Sequence, residues 1–320
     1  MGTRGHADRG KSHRGAVTEI MPVPIDSLLH LTDFHFWEIE LNPLRLLNKR
    51  FLGNANVVYR RRREFVTANA EPFADQAIAT GIKHALLSGD FSSTATDREL
   101  AQGAEFVRYL VQRGVAVTVL PGNHDVYTFE SVRRRRFEKY FGEWLPPSGI
   151  PHIVRLPGGT PVLLVPTVCP NWLSSEGRIT DIEVEAVAAH LDACAAPLIV
   201  CGHYPVLAKT NGYQSKPSRR LRNADALRNA LGRSGKRILY VSGHVHRFSY
   251  AGDDKYPMLE HLTTGAFVRR ARESASDGEF SEIHVHADGF RVNRHRHATR
   301  WEREEKIPEM AEYNSGYRPE

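Results

Sequence analysis

Polar side chains that can bind metal ions follow apolar runs at five places in this sequence of 320 residues. In chain order they are Asp33 and His35, Asp90, Asn123 and His124, His203, and His244 and His246. Each apolar run has the character of a short buried strand, and strand ends are where open α/β sheets carry their binding sites. Five such clusters would be a large coincidence for purely structural residues. We therefore expect them to meet in one metal-binding site.

The third cluster has the densest chemistry. The apolar run 115–120 leads into Pro121-Gly122 and then presents Asn123, His124 and Asp125 in succession. Considered alone, this turn has two interpretations, because Asn and Asp also satisfy the backbone of ordinary turns. The four other clusters favour the metal site. Nothing in the pattern gives Asp125 a metal or a proton, so we expect it to brace the loop.

The donor atoms indicate which ions would bind. Imidazole, carboxylate and amide oxygen without thiolate favour manganese, iron, cobalt or zinc over calcium or an iron–sulfur cluster. The donors are too many for one ion, so we expect two divalent metal ions, with manganese as the first candidate and Fe, Co or Zn as alternatives. The three cysteines form no CxxC pair, which indicates a reducing compartment and argues against a thiolate zinc site.

Alternating strands and helices must position these side chains. The apolar runs predict strands near 27–32, 84–88, 115–120, 197–201 and 237–242. Helical spacing of apolar residues predicts helices near 64–80, 97–113, 130–141, 181–193 and 221–233. This order predicts an α/β fold whose site lies at the carboxyl ends of the strands.

The order Asp-x-His, Gly-Asp, Gly-Asn-His-Asp, Gly-His and Gly-His-x-His resembles that of the calcineurin-like metallophosphoesterase superfamily over residues 27–297. The resemblance implies a two-sheet β-sandwich flanked by helices. It implies a hydrolase that cleaves a phosphodiester, phosphomonoester or pyrophosphate bond with a hydroxide that bridges two metal ions. His124 would be the catalytic residue, which stabilises the phosphoryl group or protonates the leaving oxygen. The implied metal ligands form two sets joined by a bridging carboxylate: Asp33, His35 and His246; Asn123, His203 and His244; and the bridging Asp90.

One part of the sequence departs from a branch of this superfamily. Its protein phosphatases carry the motif G-D-x-x-D-R-G, in which the second Asp orients the catalytic His. Here the stretch is Gly89-Asp90-Phe91-Ser92-Ser93-Thr94, with Ser93 in the place of that Asp. A Ser/Thr protein phosphatase is therefore not expected, and the orientation of His124 is left open.

The sequence divides into a catalytic domain and three flanking or inserted segments. We expect residues 1–22 to be a disordered basic leader. Residues 23–299 would form the metallophosphoesterase domain, and residues 300–320 would form a charged, frayed tail. Within the domain, residues 36–64 form an insertion with an apolar helical face and basic flanks, as in helices that lie at a membrane interface. Three interpretations stay open for this insertion: a lid over the site, a membrane contact, or a structural insertion whose arginines are merely solvated.

Two further groups of basic residues have weaker interpretations. In the run Arg133–Arg136, successive side chains point about 100° apart on a helix, so most of them face solvent. We take Arg133 from this run and Arg178 from a later loop as weak candidates for substrate binding. Four histidines between 284 and 297 flank the turn Asp288-Gly289, which predicts an edge hairpin. We expect no metal there, because no carboxylate shares their spacing.

Substrate and location follow in part from charge and in part from the resemblance. The net charge of +6 favours an anionic partner. No signal peptide or membrane-spanning run is present, so we expect a cytoplasmic protein that can contact an anionic membrane at its inner face. No motif or stacking platform predicts binding to nucleic acid.

The basic and apolar stretch 42–53 is similar to the insertions of hydrolases that cleave UDP-2,3-diacylglucosamine, notably the chlamydial type. A phosphate ester with acyl chains is therefore the specific expectation. The alternative is a soluble phosphodiesterase acting on cyclic nucleotides or similar diesters. A metal-free binding scaffold, from a different class of protein, is disfavoured because every ligand position is filled.

Overall fold

Fifteen β-strands and eight α-helices make up the part of the chain that the computed structural model describes, which is residues 23–39, 50–213, 219–271 and 275–310. The strands are β1 (Asp26–Leu31), β2 (His84–Leu87), β3 (Ala116–Val119), β4 (His152–Arg155), β5 (Pro161–Leu164), β6 (Gly177–Arg178), β7 (Leu198–Cys201), β8 (Leu221–Arg222), β9 (Ile238–Ser242), β10 (Ser249–Gly252), β11 (Leu259–Thr263), β12 (Gly278–His286), β13 (Gly289–His297), β14 (Trp301–Lys306) and β15 (Glu309–Met310). The helices are α1 (Arg50–Asn56), α2 (Arg62–Glu64), α3 (Ala70–Ile78), α4 (Asp97–Gln112), α5 (Phe129–Arg133), α6 (Arg136–Phe141), α7 (Asp181–Asp192) and α8 (Ala224–Arg233). The predicted leader 1–22, residues 40–49 of the insertion and residues 311–320 of the tail lie outside the described residues.

Two large sheets pack face to face. The first has the strand order β14-β13-β12-β1-β2-β3, and the second has the order β15-β10-β11-β9-β7-β5-β4. Apolar side chains of both sheets form one buried cluster between them, with Leu28 and Ile283 from the first sheet and Ile199 and Leu239 from the second. Burial of each such side chain stabilises the fold by about 1.5–3 kcal/mol. The predicted two-sheet sandwich is therefore confirmed.

Helices cover the outer face of each sheet. On the first sheet, α3 and α4 contribute Phe73 and Phe106 to a second buried cluster that includes Leu29. On the second sheet, α7 and α8 contribute Leu191 and Leu227 to a third cluster. The start of α4 is fixed by Thr96 and Glu99, whose side chains each accept a hydrogen bond from the other residue's backbone N–H.

The strands that precede the predicted site residues run parallel. β1, β2 and β3 are parallel neighbours in the first sheet, and β7 and β9 are parallel neighbours in the second. Parallel neighbours end at the same edge of a sheet, so the loops after β1, β2 and β3 come together, as do the loops after β7 and β9, and the ligand atoms of the two sets lie close to each other. The fold thus places the five polar clusters at one edge of the sandwich, as the sequence predicts.

Residues 50–64 of the insertion are helical. After α1, the chain continues through a π-helical turn, Val57–Arg61, and the short helix α2. π-helical turns are rare and are found frequently at functional sites. None of the helices in the described ranges is long and apolar enough to cross a membrane.

The C-terminal strands differ from the prediction in two respects. β12 and β13 form the predicted hairpin, but β14 pairs with β13, so the hairpin lies inside the sheet and not at its edge. β14 comes from the predicted tail, whose charged residues 301–306 form a paired strand where fraying was expected. The carboxylate missing from the sequence interpretation is Glu282, which bonds His284 and His295 at 2.7 Å each.

Candidate metal centre

Four of the predicted ligands form a first group at the strand ends. Asp33 and His35 follow β1, Asp90 follows β2, and His246 follows β9; one ligand atom from each lies within 4.8 Å of the others. The Nε2 atoms of His35 and His246 are 3.0 Å apart, and Nε2 of His246 is 3.2 Å from Oδ1 of Asp33. Nitrogen and oxygen atoms of this kind converge where a single cation can accept all of them.

A second group adjoins the first and shares Asp90 with it. Asp90, His203 and His244 offer ligand atoms that lie within 4.8 Å of one another. The amide oxygen of Asn123 lies 3.2 Å from Nε2 of His203 and 3.0 Å from Nδ1 of His244. All seven predicted ligands are therefore brought together, and Asp90 is the residue common to both groups.

The residues present fit two divalent cations. Oδ1 of Asp33 is buried and has no hydrogen-bond partner in the described part of the chain. A buried carboxylate oxygen without a donor is costly unless a cation neutralises it. The imidazoles of His35 and His246 point to the same conclusion, because their Nε2 atoms lie 3.0 Å apart and are placed to bind one cation together with Asp33 and Asp90.

The backbone is strained at most of these ligands. Five of them adopt left-handed conformations, with φ of 57° at Asp33, 48° at His35, 55° at Asp90, 70° at His244 and 57° at His246. Such conformations are uncommon for residues other than glycine and cost of order 1–3 kcal/mol each. Strain concentrated at one cluster of polar residues is typical of a functional site.

Hydrogen bonds behind the ligands hold them in place. Oδ2 of Asp33 accepts a bond from the backbone N–H of His244 at 2.9 Å, and Oδ1 of Asp90 accepts one from the N–H of His124 at 2.8 Å. Nδ1 of His203 donates to the carbonyl of Ser88 at 2.8 Å, which directs its Nε2 towards the site. Bonds of this kind fix the tautomer and orientation of metal ligands.

Burial and charge set the protonation of these groups in opposite directions. Burial lowers the pKa of His35 and of His244 well below the ordinary value, so both rings are neutral, as metal ligands must be. For His203, burial acts in the same direction, but the adjacent Asp90 carboxylate outweighs it and raises the pKa to about 9. A bound cation would compete with that proton for the same nitrogen.

His124 is held by the main chain and covered by an arginine. Its Nδ1 lies 2.7 Å from the carbonyl oxygen of Ser93, and its Nε2 lies 2.8 Å from Nη2 of Arg61. The ring of Tyr127 stacks on the imidazole, with centroids 5.3 Å apart and planes at 17°. The carbonyl of Ser93 thus supplies the support that the missing second Asp left open.

A cavity of about 240 Å³ opens over both groups of ligands. It is lined by polar ligands, by Tyr127 and Leu173, and by the arginines Arg60, Arg61 and Arg219. None of these three arginines is among the substrate residues predicted from the sequence. Arg60 and Arg61 belong to a run of four arginines, and the sequence gives no signal that separates the residues facing the cavity from those facing solvent.

The sequence profile of the calcineurin-like phosphoesterases matches residues 27–248, more than half of the chain. The chain belongs to the calcineurin-like phosphoesterase family. It is a hydrolase of phosphate esters, and its family is a class of dimetal enzymes. A sequence comparison with curated proteins gives no match.

Three solved structures share the fold of this phosphoesterase. A dimetal phosphatase from Danio rerio is 13% identical with a TM-score of 0.56, and the alignment covers 88% of this chain and 98% of that one. Purple acid phosphatase PPD1 from yellow lupin is 12% identical with a TM-score of 0.53, and the alignment covers 86% of this chain and 52% of that one. A 5′-nucleotidase from Candida albicans is 15% identical with a TM-score of 0.50, and the alignment covers 87% of this chain and 53% of that one. The phosphoesterase therefore spans about half the length of the last two proteins.

The two arginines predicted as substrate residues lie outside the cavity of this phosphoesterase. Arg133 is exposed on α5, where the helix is short because Arg135 adopts a left-handed conformation with φ of 49°. Arg178 lines a separate cavity together with Cys169 and Trp172. The residue spacing could not place them, since both depend on where a loop or a helix break directs the chain.

Asp125 braces the loop, as the sequence predicts. Its carboxylate accepts hydrogen bonds from the backbone N–H groups of Gly122 at 2.9 Å, Ser92 at 2.8 Å and Phe91 at 3.2 Å. Burial, reinforced by the charge of Asp90, raises its pKa to about 7. Asp125 therefore ties the loop after β2 to the loop after β3, which carry Asp90 and His124.

Proposed function

We propose that this phosphoesterase hydrolyses a lipid-linked phosphate ester or anhydride, of which UDP-2,3-diacylglucosamine is the specific candidate. One observation carries the proposal: a single helical segment, residues 50–64, supplies both a cationic wall of the metal cavity and exposed aromatic side chains beside it. Arg61 is the cationic residue, and Phe51 and Tyr59 are 59% and 79% exposed. A substrate with an anionic head and apolar chains matches that combination.

Arg61 is the residue that we assign to the phosphoryl group. It is half-buried and has no carboxylate partner in the described part of the chain, whereas its neighbour Arg60 pairs with Glu64 at 2.6 Å. Its guanidinium contacts both His124 and His35, which places the charge directly above the ligand groups. A planar guanidinium binds two phosphoryl oxygens at once, so Arg61 is suited to hold the group under attack.

The other groups have separate roles in the proposed reaction. Two divalent cations, manganese in our proposal, would lower the pKa of a water molecule and neutralise phosphoryl oxygens. The seven candidate ligands would hold those ions, with Asp90 shared between them: Asp33, His35, Asp90, Asn123, His203, His244 and His246. His124 would stabilise the phosphoryl group or give a proton to the leaving oxygen, and Ser93 keeps its imidazole directed into the cavity.

The exposed aromatic residues support contact with lipid. Phe51 and Tyr59 lie on the same continuous helical segment as the exposed arginines Arg62 and Arg63. Aromatic and basic residues together are typical of helices that lie on an anionic membrane. The proposal therefore includes peripheral contact with the inner face of a membrane.

A substrate panel tests the proposal. With Mn²⁺ added, we expect faster hydrolysis of UDP-2,3-diacylglucosamine than of UDP-N-acetylglucosamine, cyclic AMP or bis(p-nitrophenyl) phosphate. The double variant Phe51→Ser/Tyr59→Ser should lose rate on the lipid substrate alone, because it retains Arg61 and the metal ligands.

Three outcomes bear against the proposal. The soluble phosphodiesterase replaces it if cyclic AMP is cleaved fastest and the double variant changes no rate. A metal-free scaffold is supported only if folded protein contains no transition metal by elemental analysis. Membrane contact is rejected if neither the wild type nor the variant sediments with vesicles that contain anionic lipid.

A further inference from the structure

A second cavity lies beside the metal cavity and has chemistry of a different kind. It measures about 220 Å³ and is lined by Phe129, Trp172, Asn171, Cys169, Arg178 and Arg222 among others. Aromatic rings and guanidinium groups therefore share one small concave surface. Neither His124 nor any of the seven candidate metal ligands lines this second cavity.

The two cavities are neighbours along two stretches of chain. Tyr127 lines the metal cavity and Phe129 the second one, while Leu173 lines the metal cavity and Trp172 the second one. Residues two apart are separated by at most about 7 Å, and adjacent residues by about 3.8 Å. The two cavities therefore adjoin each other.

The aromatic part of the second cavity is open to a ligand. Trp172 is 76% exposed and Phe129 is 47% exposed, and their rings meet at a centroid distance of 5.0 Å. Two large aromatic side chains in contact with each other and with water present a face on which a planar ring can stack. Isolated apolar residues at a surface are ordinary, but this pair adjoins an enzyme's cavity.

The cationic part consists of two arginines held side by side. Arg178 of β6 and Arg222 of β8 are register partners in a parallel strand pair, so both side chains leave the same face. Arg222 pairs with Glu176 at 3.0 Å, whereas the guanidinium of Arg178 has no hydrogen bond or ion pair within the described residues. The cavity thus keeps one uncompensated positive charge, which suits a phosphate.

The loop between the cavities is held in place. The amide of Asn171 donates to the carbonyls of Glu176 at 2.7 Å and Cys169 at 3.2 Å. The hydroxyl of Tyr204 donates to the carbonyl of Ser175 at 2.7 Å, and the Tyr204 ring lies 4.1 Å from that of His244. The loop that carries Trp172 is therefore anchored to the metal centre itself.

We infer that the second cavity binds the nucleoside phosphate part of the substrate, with the base stacked on Trp172 and Phe129 and a phosphate at Arg178. The inference rests on the proposed function, in which the substrate carries a nucleotide. It adds the site that recognises that nucleotide, on the side of the metal centre where the chain carries Phe129 and Trp172.

Calorimetric binding of uridine 5′-monophosphate to the full-length, metal-loaded protein tests this inference. Trp172→Ala should lower the affinity for the monophosphate and for free uridine by about ten-fold, since base–aromatic stacking accounts for that much affinity. The same variant should leave the affinity for inorganic phosphate unchanged. Arg178→Gln should lower the affinity for the monophosphate by about ten-fold and leave the affinity for uridine unchanged. Ile182→Ala and Arg233→Gln, which change an exposed apolar and an exposed basic residue elsewhere, are the matched controls.

Several results would overturn the inference. Equal affinity of the monophosphate for the wild type, Trp172→Ala and Arg178→Gln would place the nucleotide elsewhere, and loss of binding only in Arg61→Gln would place it at the metal cavity. A Trp172→Ala variant that lost vesicle binding and kept nucleotide affinity would make Trp172 a membrane contact. Because the readout is binding, failure to hydrolyse the lipid substrate would reject the proposed function without deciding this test.

Discussion

The carbonyl oxygen of Ser93 lies 2.7 Å from Nδ1 of His124. A carbonyl can only accept, so Nδ1 carries the hydrogen and Nε2 accepts from Arg61. Protein phosphatases of the superfamily place an Asp side chain at the position of Ser93. In this protein the main-chain carbonyl of Ser93, and not a side chain, holds the ring of His124. The orientation of His124 should therefore depend on the path of the loop and not on the side chain at position 93.

Replacing Ser93 and His124 separately should give very different enzymes. Ser93→Ala keeps the carbonyl and loses only the hydroxyl bond to the carbonyl of His35 at 3.3 Å, so we expect kcat within about three-fold of the wild type. His124→Ala should lower kcat by about 10²–10⁴-fold. Steady-state hydrolysis of bis(p-nitrophenyl) phosphate measures both. A loss of activity in Ser93→Ala as large as that in His124→Ala would show that the hydroxyl is needed.

Arg61 and Arg62 are adjacent in sequence but should differ in function. Arg61→Gln removes the charge above the ligand groups, and we expect kcat/KM to fall by about 10²-fold, the usual cost of one lost oxyanion donor. With the soluble diester bis(p-nitrophenyl) phosphate as substrate for both variants, Arg62→Gln changes an exposed residue outside the cavity and serves as the matched control. Similar losses in both variants would indicate that net charge, and not the position of Arg61, governs activity.

Metal content should follow the division of ligands into two groups. Asp33→Asn alters only the first group, so the purified variant should lose one ion, while Asp90→Asn alters both groups and should lose both. Elemental analysis of gel-filtered protein measures the number of ions. Thermal unfolding adds a second readout, because ions that bind only the folded state raise the melting temperature and EDTA removes that gain. Equal metal content in the two variants would contradict a shared Asp90.

The candidate metal ligands could be predicted from the sequence because all seven follow the ends of only five strands, β1, β2, β3, β7 and β9. Once the strands are parallel neighbours, the residues after them meet whatever the details of the loops, as His35 after β1 and Asp90 after β2 show at 3.5 Å. Arg61 could not be found in this way. Its position depends on a π-helical turn, and one residue of difference in helix phase would exchange it with an arginine that faces solvent.

The C-terminal histidines illustrate a second limit. Spacing along the chain shows which residues share a strand face, but Glu282 reaches His295 across a strand pair and Arg303 across two. The sequence interpretation missed this carboxylate because Glu282 lies on β12 just before the four histidines, and it missed Arg303 because β14 was interpreted as tail. Contacts between strands depend on register, which the hydrophobic pattern of a charged strand does not specify.

His30 should make stability depend on pH below neutrality. Its imidazole is fully buried between the hydroxyls of Thr264 at 2.7 Å and Ser88 at 2.8 Å. Burial lowers its pKa from 6.5 to about 3; the charge of Asp33 opposes this shift and that of His203 adds to it. The unfolded chain therefore binds a proton between these values that the folded protein does not, so stability falls as pH falls through this window. At about 1.4 kcal/mol per pH unit, the window from 6.5 to about 3 gives an upper bound of roughly 5 kcal/mol.

The variant His30→Gln isolates this contribution. Glutamine keeps a donor and an acceptor but does not titrate, so the stability advantage of the wild type over the variant should be constant above about pH 6.5 and shrink steadily towards pH 3. Urea unfolding of both proteins across this range gives the difference, and carboxylates that titrate in both proteins cancel from it. If the difference in the free energy of unfolding stays constant with pH, then folding does not lower the pKa of His30, and the environment of the imidazole differs from the one described.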